Sequence, residues 1–251
     1  MSAARFREIE LEVDTNDLGQ PIGAPVPNWT PPAPPSRVSL IGRCCKVEPL
    51  DCNRHGAGLF ESNALDTTGA TWTYLAYGPF DDFASYTEWL KASEKSLDPN
   101  FYAIVDQSLN RPVGIASYLR IDPKSGSIEI GHLHFSPLLQ RTCAATEAIY
   151  LMMKNAFNLG YRRLEWKCNA LNAPSRRAAE RFGLKFEGVF RQALIVKGRN
   201  RDTAWYSALD SEWPAIDAAF TRWLDLANFD GEGKQIEALS KLMESARKDN
   251  Q

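Results

Sequence analysis

The hydrophobic period changes several times along the chain, and each change marks an element. From Val38, the run VSLIGRCCKVEPL alternates as a strand does, with Gly42 as a candidate bulge. DCNRHGAGLFESNA reads as a helix capped by Asp51. After the aromatic segment TWTYLAYGPF, FASYTEWLKASEKS predicts a helix with Phe83, Tyr86, Trp89 and Leu90 on one face. FYAIVDQ, VGIASYLRI and SIEIGHLHF alternate as three strands, parted by the turns SLNRP and DPKSGS. Thr142 to Leu159 predicts a helix with Ala145, Ile149, Met152 and Met153 inward, stopped by Gly160. RRLEWKCNAL is a further strand, and SRRAAERF is a short helix begun at Asn172 or Pro174 and closed by Gly183. KFEGVFRQALIVK and RDTAWYSALD predict a long hairpin on the basic turn GRNR. WPAIDAAFTRWLDL and GKQIEALSKLMESARK predict two last helices.

The order is β, α, α, β, β, β, α, β, α, β, β. Its central β-α-β predicts one parallel pair inside a mostly antiparallel sheet, an α+β arrangement. Residues 1–36 hold seven prolines between Pro21 and Pro35 and read as an extended arm, pinned through Trp29 or disordered. The expected organisation is an arm over 1–36, a domain over 37–226 and a helical tail over 227–251.

Composition narrows the class. The chain has 251 residues, 44% hydrophobic and 24% charged, with a net charge of −2. That is an ordinary globular balance without the basic footprint of a nucleic-acid binder, so no nucleic-acid partner is expected. No apolar run approaches the roughly 20 residues of a membrane span, and MSAARFREIELEVD lacks an apolar signal core, so a cytoplasmic protein with no membrane partner is expected. Five irregularly spaced cysteines argue against a disulfide framework and for reduced thiols. Three histidines and no CxxC pair argue against a metal site.

Four segments carry candidate chemistry. EIGHLHFSP (Glu129–Pro137) ends a strand. LLQRTCAATEA (Leu138–Ala148) then turns into a helix, whose first N–H groups and dipole suit an anion. Such turns usually carry glycine, and this one offers Arg141, Thr142, Cys143, Ala144 and Ala145 instead. NAPSRRAAERFGL opens on a helix cap, and KFEGVFRQ follows it as a strand. In this order the four resemble motifs of the GNAT superfamily of acyl-CoA-dependent N-acyltransferases, and within it the RimJ/RimL-type branch. The resemblance covers roughly Val38 to Asp210. It implies a GNAT fold: a mixed, mostly antiparallel sheet with a central β-α-β and helices on both faces.

The resemblance also implies a site for acetyl-CoA as co-substrate, without a metal. The backbone of Leu133, His134, Phe135 and Ser136 would run along the pantetheine arm. Gln140, Arg141, Thr142, Cys143, Ala144 and Ala145 would meet the pyrophosphate. Asn172 would reach the pantetheine amides, and Ser175 would protonate the leaving thiolate; both also suit plain helix capping. Some relatives place a general-acid Tyr where this chain has Ala179. Attack on a thioester needs a neutral amine, hence a base. Glu129 is the leading candidate and His134 the next, since its pKa lies near neutrality. Alternation puts Glu129 on a face with Gly131, Leu133 and Phe135, opposite His132 and His134. Trp72, Tyr74, Tyr77 and Trp166 are the expected acceptor walls.

The expected activity is transfer of acetyl to a primary amine by direct attack in a ternary complex, with a small-molecule or peptide amine as partner. A CoA-binding or partner-binding module with little activity is the alternative. A homodimer is the expected assembly, the arm and last helix covering its edge or the mouth of the site.

Overall fold

The computed structural model describes residues 13–248. The chain divides into two compact units, one ending at Thr30 and the other starting at Pro31. In the first, β1 (Val13–Thr15) and β2 (Pro21–Gly23) form a small antiparallel hairpin. The Asn16 carboxamide holds its turn by accepting from the N–H groups of Leu18 and Gln20, 3.0 and 2.9 Å away. A short hairpin therefore interrupts the expected extended arm. Residues Met1–Phe6 and onward to 12 of that arm lie outside the described residues.

The second unit is built on an eight-stranded sheet. Its strands are β3 (Leu40–Ile41), β4 (Cys45–Pro49), β5 (Asn100–Asp106), β6 (Arg111–Asp122), β7 (Ser127–Phe135), β8 (Arg163–Asn169), β9 (Lys185–Val196) and β10 (Arg199–Leu209). Their order across the sheet is β3-β4-β5-β6-β7-β8-β10-β9, with β7 and β8 parallel and the other neighbours antiparallel. Helices α1 (Cys52–Asn63) and α2 (Phe83–Glu94) pack on one face over Leu50, Phe101, Ala103 and Ile115. Helix α3 (Cys143–Asn158) covers the other face over Ile128, Ile130 and Tyr118, joined by α4 (Ala173–Arg181), α5 (Trp213–Leu224) and α6 (Leu239–Lys248). Asp51, Asp82, Thr142 and Asn172 cap the first four helices by accepting a backbone N–H three residues on, which satisfies a donor that the helix itself cannot. The last helix starts at Leu239, later than its sequence pattern suggests, and buries Leu239, Leu242 and Met243 in the core.

The alternating run from Val38 is two strands, not one. The turn between β3 and β4 is filled by a carboxylate from α3. Glu147, 4% exposed, accepts from the N–H groups of Arg43 (2.8 Å), Cys44 (2.6 Å) and Cys45 (2.9 Å). Gly42 is required beside it, because a Cβ there would overlap the Glu147 carboxyl. Cys44 is also joined to Cys143 by a disulfide, which corrects the expectation of free thiols throughout. The two cysteines lie 99 residues apart, a spacing that signals nothing in sequence.

A second departure re-aims the central strand. Gly131 pairs with Ser117 and His134 with Ile115, so His132 and Leu133 together oppose Ala116. This is a β-bulge, and His132 takes φ of 50° within it. One extra residue reverses the alternation beyond it. His134 therefore shares the face of Glu129 and Gly131, while Leu133 and Phe135 pack with the core on the α3 side. The expected assignment of these faces is thus corrected.

Two stability predictions follow from the lock on α3. Glu147→Ala strands three enclosed donors and should cost about 3 kcal/mol in urea unfolding, with Glu147→Gln intermediate; an unchanged midpoint would rule out the lock. Reduction of Cys44–Cys143 frees a long loop in the unfolded chain and should cost about 2–4 kcal/mol. The check is a Tm that falls with reductant in the native protein and stays constant in a Cys44→Ser/Cys143→Ser variant.

Candidate active site

Strands β7 and β8 pair at only three positions, Ser127↔Arg163, Ile128↔Leu164 and Glu129↔Glu165. Both then run on, to Phe135 and Asn169, without pairing each other. The bulge at His132 accompanies this parting. The result is a wedge in the middle of the sheet, with strand edges on both sides that lack a neighbouring strand.

At the mouth of the wedge lies the start of α3. The N–H groups of Leu139 and Gln140 donate to Ser136 O, and Thr142 N–H donates to Leu139 O. Thr142 Oγ1 then accepts from Ala145 N–H at 3.1 Å. The N–H groups of Arg141, Cys143 and Ala144 have no acceptor among the described residues. The left-handed residue in this loop is Arg141, with φ of 64°. Cys143 is the first residue of an ordinary helix, so the glycine missing at that position is not needed for backbone shape. Ser136 has spent its backbone groups within the protein, since its N–H donates to Val113 O. Gln140 turns back, its amide donating to Phe135 O at 2.9 Å. Two cations unmarked in the sequence flank the helix start. Arg43 donates to Leu224 O at 3.1 Å, and Arg181 donates to Thr146 Oγ1 at 3.1 Å.

Past the parting point, the α1–α2 face carries a buried ion network. Glu129, 3% exposed, lies 2.7 Å from Arg120 Nη1 and 3.1 Å from Lys167 Nζ. Lys167 also holds Glu165 at 2.7 Å, and Arg163 holds Glu165 at 2.8 Å. Burial pushes the Glu129 carboxyl above its usual range, with Arg120 and Lys167 pulling against it. Gly131 leaves room beside it: a Cβ there would lie 3.3 Å from Glu129 Oε1.

His134 lies on this same face. Its ring stacks on Trp72 with centroids 3.6 Å apart, and its Nε2 meets Thr71 Oγ1 at 2.9 Å. Its Nδ1 is buried and has no partner among the described residues. Burial lowers its pKa to about 4, so the ring is neutral at pH 7. His132 meets Tyr77 OH at 3.2 Å and is lowered to about 4 by burial, then by Arg120 and Arg201.

Of the aromatic candidates, Trp72 and Tyr77 gather around these histidines, Trp72 in a 3-10 turn over Ala70–Trp72. Tyr74 bridges to the far wall, its OH donating to Leu171 O at 3.2 Å. Trp166 is elsewhere. It is buried on the α4 side against Phe182, and its Nε1 donates to Ser175 Oγ at 3.0 Å. It pairs with Tyr206 on the face opposite Lys167, which corrects its reading as an acceptor wall beside Trp72. Asn172 is the α4 cap, accepting from Ser175 N–H at 3.2 Å. The basic hairpin tip is a clasp: Lys197 Nζ donates to Trp72 O at 3.1 Å and Gly78 O at 2.6 Å. Cys168, close to Ser175, has its thiol pushed up by burial. Among the described residues, no group of His, Cys, Asp and Glu could hold a metal ion, and no helix is long and apolar enough to cross a membrane.

The buried histidines set a pH dependence. Below about pH 6.5 the unfolded chain protonates position 134, whereas the native chain refuses that proton until about pH 4. Stability therefore falls as the pH drops through this window. Between pH 7 and 5 the native protein should lose about 2 kcal/mol more than His134→Phe, read from urea midpoints at each pH; parallel losses would show that His134 does not titrate differently on folding.

The comparisons with known proteins agree with this architecture. A family profile described as Acetyltransferase (GNAT) domain matches residues 57–185. A GCN5-related N-acetyltransferase from Brucella melitensis is 46% identical and superposes with a TM-score of 0.86 over 87% of this chain and 100% of that one. A probable GNAT-family acetyltransferase from Chromobacterium violaceum is 42% identical, with a TM-score of 0.72 over 78% and 98% of the two chains. A Bacillus licheniformis protein described as uncharacterized N-acetyltransferase p20 is 25% identical over 148 residues, 56% of this chain and 80% of its own. A wedge between parallel strands, a helix start with open N–H groups, and this match over most of the chain lead to one conclusion: the chain belongs to the GNAT acetyltransferase family and is an N-acetyltransferase.

Proposed function

We propose that this enzyme transfers acetyl from acetyl-CoA to a primary amine by direct attack, and that it belongs with the RimJ/RimL-type branch on its four motifs. The observation that carries the reading is the wedge, which ends at one side in open N–H groups and at the other in buried Glu129 and His134. The chain's own groups fit the co-substrate. The N–H groups of Arg141, Cys143 and Ala144 suit the pyrophosphate, with Thr142 and Ala145 shaping the helix start. Arg141, Arg43 and Arg181 add positive charge nearby. The free edge of β7 around Leu133 and His134 suits the amide groups of pantetheine. When bound, acetyl-CoA supplies the thioester.

Glu129 is the proposed base, reached by the amine directly or through water. Burial raises its carboxyl toward the range where a base works at neutral pH. His134 is the second reading, supported by its unpartnered Nδ1 on the same face. A neutral ring can accept a hydrogen bond from the amine there. Ser175 is the proposed proton donor to the thiolate, because its hydroxyl already sits between Trp166 Nε1 and Cys168. Ala179 is fully buried and offers no hydroxyl. A cysteine nucleophile is disfavoured: Cys143 is bonded to Cys44, and the Cys168 thiol is pushed up by burial.

The test is calorimetry with acetyl-CoA, then free-thiol release across a panel of primary amines. Binding followed by amine-dependent thiol release is expected, with no stable acetyl-cysteine by mass spectrometry. Glu129→Gln should lower kcat by roughly 100-fold or more while leaving acetyl-CoA binding intact. Binding with no thiol release from any amine would overturn transfer in favour of a CoA-binding module.

A further inference from the structure

Three polar atoms on one strand have nothing to bond. Arg201 Nε, Thr203 Oγ1 and Trp205 Nε1 are buried and lack a hydrogen-bond partner among the described residues. They belong to alternate residues of β10, so they face one side of the sheet. That side is fixed by Lys167, which pairs with Trp205 and lays its ammonium 3.7 Å from the centre of the Trp205 ring. It is the side of Glu129, which Lys167 also holds. Arg201 acts electrostatically on His132 and, besides its burial, is itself acted on by Cys168, Glu129 and Arg120, which sets it beside the wedge. A fourth unpartnered atom, His134 Nδ1, lies on this face of β7. Three of the four are donors, and buried donors rarely go without an acceptor.

The ion pairs here leave one cation over. Glu129 is held by Arg120 and Lys167, Glu165 by Lys167 and Arg163, and Glu187 by Arg163. Three carboxylates thus face three cations that hold them, and Arg201 is a fourth cation with no ion-pair partner among the described residues. A partly buried guanidinium without a direct partner is costly unless a ligand completes it. A guanidinium fork that no carboxylate pairs, a hydroxyl and an indole N–H together suit a planar monoanion.

We infer that the amine acceptor carries a carboxylate, bound by Arg201 with Thr203 and Trp205, so that the substrates are amino carboxylates. The inference rests on the transfer reading above and names its substrate class. Arg201 has a second effect in this place. Its positive field disfavours an ammonium nearby and so favours the neutral amine that attacks a thioester.

The experiment uses the full chain with acetyl-CoA and matched amines: glycine, alanine, phenylalanine, glutamate, β-alanine and γ-aminobutyrate, each beside its methyl ester. Thiol release gives kcat and KM, and calorimetry gives the binding of acetyl-CoA and of the N-acetylated acids and esters. At least one acid should exceed its ester by about 100-fold in kcat/KM. Arg201→Gln should erase that preference mainly through KM, Arg201→Lys should restore part of it, and acetyl-CoA affinity should stay within about twofold of the native value. Trp205→Phe, which keeps the ring and removes the donor, should weaken the acid alone. Esters turning over as well as acids, or Arg201→Gln slowing both equally, would overturn the inference and leave transfer standing. Acids bound through Arg201 without thiol release would overturn transfer and leave the carboxylate site standing.

Discussion

The bulge at His132 is the constraint on which the rest of the site depends. Two residues opposite Ala116 instead of one bring His134 to the face of Glu129, and the parallel pairing ends at Glu129↔Glu165. The same insertion sends Leu133 and Phe135 into the core under α3. The strand that would bind the co-substrate and the strand that presents polar groups to the acceptor are therefore one strand with its alternation broken once.

The helix that faces the mouth of the wedge is held from outside the sheet. Glu147 lies one turn inside α3 and takes three N–H groups from the β3–β4 turn, so the helix start is fixed against the far edge of the core. The buried carboxylate is stabilised by donors whose geometry the turn already requires. On the opposite wall, Lys197 ties the β9–β10 tip to the loop that carries Trp72. Trp72 in turn stacks on His134, so the roof, the histidine and the hairpin are packed as one contact chain.

Much of this was legible in the sequence. The order of strands and helices, the cap at Asp51, the helix start at Thr142, and the stops at Gly160 and Gly183 all rest on local rules of period and turn chemistry. What was not legible depends on partners distant in sequence. Alternation across SIEIGHLHF cannot reveal a bulge, because the insertion is defined only against Ala116 on β6. VSLIGRCCKVEPL reads as one strand until Glu147, a hundred residues away, enters its turn. Trp166 looks like a pocket wall beside a split strand, and only its pairing with Tyr206 shows which side it takes. The basic tip at Lys197 has no signal for the two carbonyls it meets.

The Cys44–Cys143 bond divides the wedge topologically. It closes a covalent ring that contains α1, α2 and β5 to β7, and with them Trp72, Glu129 and His134. Strands β8 to β10 and α4, with Ser175, Lys167 and Arg201, lie outside that ring. One wall of the cleft is thus a stapled loop of chain and the other an unstapled segment laid against it. Where the two walls flank the gap, they meet at three paired positions between β7 and β8, the ion contacts of Glu129, and the bonds made by Tyr74 and Lys197, while α3 packs beneath both. A substrate that enters between them meets a seam in the polypeptide, with a covalently closed loop on one side and a segment held only by non-covalent contacts on the other.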